Sequence, residues 1–318
     1  MDQSIYLLTL IATALVLFAA FSSLIAFRVG APLLLVFLGI GLAAGTDGLG
    51  IDFDNASIAF FVGSLALAVI LFDSGFGTSI TTLRSAAAPA VILATFGVVL
   101  TAGLVGVATR YIAGFNWLES FLLGATIAST DAAAVFFLLR VGNISVRERV
   151  RSTLEVESSS NDPIAIFLTL SLISLISSGV AFEPAELATE VVFGFFQQMG
   201  IGLVAGLAGG YMIVRLVMRL KLEQGLQPIF VLTLSLLVFA LAGAMGGSGF
   251  LAVYVAGLVA GNAKLRRTAM LKRFQDGVTW LAQIIMFLVL GLLATPSQFA
   301  SIALPALAIG LFLIFDVR

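Results

Sequence analysis

The sequence predicts an all-α, polytopic integral membrane protein of about eleven transmembrane helices. Three observations carry this reading. Hydrophobic residues make up 60% of the 318 and charged residues only 10%, where a soluble domain carries about 25% charge. Mean hydropathy is +1.16. The apolar residues also come in runs near the ~20 residues that cross a bilayer as a helix. Turn-forming segments such as Gly45-Thr46-Asp47-Gly48, Gly114-Phe115-Asn116 and Thr295-Pro296-Ser297 separate the runs.

The first run, 5–27, follows an acidic Met1-Asp2-Gln3-Ser4 that lacks the basic start of a signal peptide, so it is expected to be kept as a span. Runs at 31–46, 56–77, 87–110 and 118–140 come next, then 149–178 and 188–219. The last four lie at 228–245, 248–263, 275–294 and 299–317. The second, eighth and ninth are short and glycine-rich. The stretches Gly202 to Gly210 and Gly243 to Gly249 do not open into a phosphate-loop GK[ST], and close helix packing is the better reading of both.

Basic residues set the orientation. With the N-terminus outside, every one of the 16 except Arg110 falls on the inner side, including the loops Arg147 to Arg151 and Lys264 to Arg273. The outer loops then carry Asp47, Asp52, Asp54, Glu183, Glu186 and Glu190. The Lys264–Arg273 loop is read as an inner-face anchor, so no nucleic-acid partner is expected.

The chain has no Cys and no His. That removes disulfides, thiolate metal sites, a Cys nucleophile and a serine–histidine hydrolase. It also removes the usual near-neutral proton carrier, so proton traffic must use carboxylates.

Those carboxylates sit where they are expensive. The run Leu154-Glu155-Val156-Glu157-Ser158-Ser159-Ser160-Asn161-Asp162-Pro163 lies inside an apolar span. A carboxylate at the bilayer centre costs roughly 2.5–3.5 kcal/mol on insertion scales, so such groups normally face a polar interior and mark an ion path. At 100° per residue, Glu157 and Asn161 share one meridian, and Ser158 and Asp162 the next. Pro163 has no N–H, so the Ser159 carbonyl loses its helical donor and can turn to a ligand. A second polar break, Thr126 to Asp131, interrupts the fifth span, with Asp131 at mid-depth among hydroxyls. Glu155 lies near Arg151 and the inner surface, where a salt bridge explains it as well as transport does. Asp73, in Leu71-Phe72-Asp73-Ser74-Gly75, is read as a helix-end contact.

Thr130-Asp131, followed one helix later by Glu157-Ser158 and Asn161-Asp162-Pro163, resembles the monovalent cation:proton antiporter-1 family, the NhaP-type exchangers. The stretch LEVESSSNDPIAIFLTL and the LFDSGF of the third span are most similar to its bacterial potassium/proton branch. The resemblance implies a homodimer of thirteen-helix, inverted-repeat protomers with broken helices, working by alternating access in a bacterial inner membrane. It implies K⁺ or Na⁺ exchanged for protons, with no cofactor. It also implies that Asp131, Glu157, Ser158 and Asp162 ligate the cation, with Thr130 contributing from unwound backbone. Arg318 would buttress the core, and Asn161, in place of a second Asp, goes with electroneutral exchange. The departure is length. The last two helices and a cytosolic tail domain are missing from the sequence as written, so a truncated exchanger domain over 1–318 is expected.

At such a site burial favours the protonated carboxyl and a bound cation favours the ionised one, so proton and cation exclude each other at Asp162. A cation channel or ion sensor could use the same carboxylates, although no re-entrant filter motif is present. An intramembrane aspartyl protease with Asp131 and Asp162 as a dyad would need a GxGD run, which the sequence lacks.

Overall fold

The computed structural model describes residues 2–29, 33–130, 135, 136, 139, 142, 144–178, 184–220, 222–263, 265 and 268–317. The helices are α1 (Asp2–Val29), α2 (Leu33–Ala44), α3 (Ala56–Gly77), α4 (Ile80–Ile92), α5 (Val98–Ile112) and α6 (Trp117–Ala128). After them come α7 (Glu148–Ser178), α8 (Pro184–Arg219), α9 (Leu226–Ala244), α10 (Gly249–Asn262), α11 (Thr268–Leu293) and α12 (Phe299–Phe312). Among the described residues, eight segments are long and apolar enough to cross a membrane, and α2, α6 and α10 are shorter apolar helices. Together they match the eleven expected runs. Large apolar side chains cover the exterior: Phe96, Leu304 and Phe315 are each more than three-quarters exposed. Such a surface would associate in water but is neutral against lipid tails.

The fourth span, Ala88–Ile112, matches the expected 87–110, and only its helix reaches further back. Helix begins at Ile80, ahead of the expected 87, because Thr81, Thr82 and Arg84 lower hydropathy without breaking a helix. Pro89 is accommodated inside α4, and a π-helical stretch, Leu93–Gly97, joins α4 to α5. The arginine expected on the outer side is held locally. Arg110 donates to the Phe115 carbonyl at 2.6 Å and lies over the Trp117 ring. Beside it Asn116 caps α6, accepting from the Glu119 amide at 2.9 Å while the Glu119 carboxylate takes the Asn116 amide, a reciprocal box.

The chain forms two compact units. The first comprises Met1–Ile70, Ala133–Ser145 and Arg273–Ser301. Its core is built by Ala19 of α1, Leu33 and Phe37 of α2, and Ile284 and Leu288 of α11. Gly41 and Gly291 let α2 and α11 touch backbone to backbone: a Cβ on Gly41 would stand 2.9 Å from the Gly291 Cα. Asp47 accepts from the Ser297 amide at 2.7 Å and ties the turn after α2 to the turn after α11.

The second unit comprises Leu71–Ala132, Val146–Lys272 and Ile302–Arg318, and it holds the polar run. Ala94, Val98, Ala102, Ala125, Ala128, Ile164 and Ala165 pack the π stretch, α5, α6 and α7 around one apolar centre. On its other side Gly202, Gly206 and Gly210 of α8 lie against Ser248, Ala252 and Ala256 of α10. A Cβ on Gly206 would come within 2.6 Å of the Ala252 carbonyl oxygen. Small residues four apart let two membrane helices approach this closely, where dispersion replaces the hydrophobic drive.

Candidate functional site

α6 is only twelve residues long, about 18 Å, and stops well short of a bilayer's width. The chain leaves it extended, Ser129 having φ −68° and ψ 143°. Helical hydrogen bonding lapses here, and Ser129 and Thr130 present hydroxyls and backbone to α7. α7 itself runs unbroken from Glu148 to Ser178 through Pro163.

The two segments are laced together. Ser129 Oγ donates to Asp162 Oδ1 in a short contact and approaches Asn161 Oδ1 at 3.3 Å. Thr130 Oγ1 donates to Glu157 at 3.1 Å from each carboxylate oxygen. Ser158 Oγ donates to the Thr130 carbonyl at 2.9 Å. Asn161, fully buried, donates through Nδ2 to Thr130 Oγ1 and, at 3.1 Å, to Glu157 Oε1 one turn back. Its amide nitrogen thereby spans the space between two acceptors, the position from which it holds Glu157 against Thr130.

Five of the residues expected from sequence therefore converge: Thr130, Glu157, Ser158, Asn161 and Asp162. Asp131 and Arg318 lie outside the described residues. Pro163 is buried, and with Ile166, Phe167, Gln198, Phe239 and Phe250 it lines a cavity of about 290 Å³ on the C-terminal side of Asp162. Sequence reasoning missed Ser129 as a site residue, treating it as a flanking hydroxyl. Its signal was its place immediately before Thr130-Asp131, at the point where an apolar helix stops short. Glu155 and the segment carrying Asp73 meet at Ser159, one residue from Ser158. The Glu155 carbonyl accepts from Ser159 Oγ, and Ser74, next to Asp73, meets Ser159 Oγ at 2.7 Å.

Chemically this is an oxygen cage. Carboxylates, hydroxyls and an amide oxygen are hard ligands suited to a hard cation, and the same carboxylates accept protons.

The sodium/hydrogen exchanger transmembrane family matches residues 13–318. The chain is 45% identical to the K(+)/H(+) antiporter NhaP of Alkalimonas amylolytica over 317 residues, covering 99% of this chain and 54% of that protein. It is 45% identical to the K(+)/H(+) antiporter NhaP2 of Shewanella oneidensis over 293 residues, 92% of this chain and 50% of that one. Against the Na(+)/H(+) antiporter NhaS2 of Synechocystis the identity is 30% over 250 residues, 77% of this chain and 45% of the relative. The chain thus spans about half the length of the curated relatives it matches. The structure of the sodium proton antiporter MjNhaP1 from Methanocaldococcus jannaschii superposes with a TM-score of 0.84 at 22% identity, covering all of this chain and 77% of that one. The broken α6, the polar turn of α7 and these likenesses agree, and the chain belongs to the sodium/hydrogen exchanger family, within its NhaP-type branch.

Proposed function

We propose that the protein exchanges a monovalent cation, K⁺ or Na⁺, for protons across the membrane, as a secondary transporter and not an enzyme. The observation that carries this is the lacing of Ser129 and Thr130 to Glu157, Asn161 and Asp162 between a broken helix and a continuous one. Asp162 is the group for which cation and proton compete, and Glu157, Ser158 and Thr130 complete the ligand set with Asp131. Arg318 and Pro163 support it. If the empty charged site is too costly to carry across the barrier, only loaded states cross, and exchange follows from competition alone. The names of the 45% identical relatives favour potassium.

Because Asn161 is neutral, the exchange moves one cation per proton and is electroneutral. The protein works as a homodimer in a bacterial inner membrane with its N-terminus outside. Everted vesicles containing the full-length protein test the reading. Added K⁺ or Na⁺ should dissipate a preformed pH gradient, and Asp162→Asn should abolish the effect while the protein still inserts. Cation current without linked proton movement would identify a channel and sink the proposal.

A further inference from the structure

Pro163 leaves α7 with a weak turn. Four residues before it, the Ser159 carbonyl has no helical N–H to accept, because proline carries none. At the same turn Ser159 Oγ donates back to the Glu155 carbonyl at 2.9 Å. A serine that bonds the carbonyl four residues earlier competes with the helical N–H for that oxygen, which weakens and often bends a helix. Both defects fall between Glu155 and Pro163, the stretch that carries Glu157, Ser158, Asn161 and Asp162. The turn assigned to the cation is therefore poorly equipped to keep its own shape.

A hydroxyl from another helix reaches this turn. Ser74 Oγ of α3 meets Ser159 Oγ at 2.7 Å. Ser159 has committed its single proton to Glu155, so Ser74 is the donor, and the order runs from Ser74 to Ser159 to the Glu155 carbonyl. Ser159 lies about 100° round the helix from Ser158, whose hydroxyl bonds the Thr130 carbonyl. The broken end of α6 and the end of α3 thus hold the turn from different faces.

The end of α3 is itself fixed. A Cβ on Gly75 would overlap the Tyr254 carbonyl of α10, and Cβ atoms on Gly257 and Gly261 would overlap the carbonyls of Phe72 and Phe76. Backbones in such contact leave no room to shift. Just beyond, Asn262 of α10 donates to the Thr78 carbonyl, and Thr78 Oγ1 donates to that of Ser74, each at 2.8 Å.

We propose that Ser74 is a positioning residue of the exchange site. From a helix end locked to α10 it clamps the pliable turn of α7, keeping Ser158 aimed at Thr130 and Asp162 at Ser129. Its consequence for transport rests on the exchange reading; the clamp itself does not.

Two measurements on the full-length protein test this. In amide hydrogen–deuterium exchange, Ser74→Ala should speed labelling of the 158–162 stretch and leave α5 unchanged. Wild-type labelling there would overturn the clamp. In vesicles, Ser74→Ala should raise the apparent cation KM about fivefold, the size of one lost hydrogen bond, with the maximal rate within about twofold. A lower maximal rate and melting temperature at unchanged KM would make Ser74 a packing residue and refute the positioning role. In a Ser159→Ala background the same substitution should change KM no further, because its acceptor is gone; an additive effect would also refute it. Wild-type protein that exchanges no cation, while Ser74→Ala still loosens the turn, would overturn the exchange reading alone.

Discussion

Ser129 is the side chain on which the extended segment and the site turn depend together, since one hydroxyl contacts both Asp162 and Asn161. Ser129→Ala removes it and leaves the buried Asn161 oxygen and the half-buried Asp162 carboxylate without that donor. Expected is a loss of about 1–3 kcal/mol in cation binding, read as an apparent KM roughly five- to 150-fold higher. A KM within the error of wild type would show that water replaces the hydroxyl fully. Asn161→Asp tests the neighbouring position. Its amide now donates to Glu157 Oε1, and an aspartate would set a second carboxylate against that oxygen. Like charges this close do not both stay ionised, so the variant should take up an extra proton. Its exchange should then become sensitive to membrane potential while wild type is not. Transport measured with the potential clamped and unclamped decides it.

At the scale of elements, legibility followed physical range. A long apolar run needs nothing but its own residues to declare itself, which is why α3 begins and ends where the hydropathy placed it. The shared face of Glu157 and Asn161 was equally local, a matter of 100° per residue, and the hydrogen bond between them realises it. What was hidden depends on other parts of the chain. Thr81, Thr82 and Arg84 look like a loop until Ala90 of α4 packs against Val156 of α7. Asn262 closes α10 by accepting from the Ile80 amide and donating to the Thr78 carbonyl, each at 2.8 Å, a link across 182 residues that no local pattern announces.

The α8–α10 seam gives the element-scale prediction. Gly206→Val would drive side-chain atoms into the Ala252 carbonyl and Val255. It should destabilise the solubilised protein by about 1–3 kcal/mol, the usual size of overpacking. Gly194, in the same helix, has open space around it. Gly194→Ala should therefore stabilise by about 0.5–1 kcal/mol through helix propensity alone. Thermal melting of the two variants should move in opposite directions; parallel shifts would mean the seam does not bear load.

For the molecule as a whole, charge asymmetry is the testable quantity. With all basic residues but Arg110 assigned to the inner face, a tag after Met1 should react with impermeant reagent from outside. A tag within the Lys264–Arg273 loop should react only after the membrane is opened. Both tags on one face would remove the eleven-span reading, because nine crossings, an odd number, separate the N-terminus from that loop.

The early stop of α6 has one more consequence. A helix that ends inside the bilayer brings its macrodipole with it, and the C-terminal end carries the equivalent of about half a negative charge. In α6 that end is at Ala128, directly before Ser129 and Thr130. Low surrounding polarity keeps such a field strong. A cation held between carboxylates keeps its full charge and is drawn by this field throughout its stay. A proton delivered to the same carboxylate is favoured for the same reason, because it removes a negative charge from that field. On the proposed exchange reading, the backbone at the end of α6 therefore favours loaded over empty states, whichever of the two positive charges arrives.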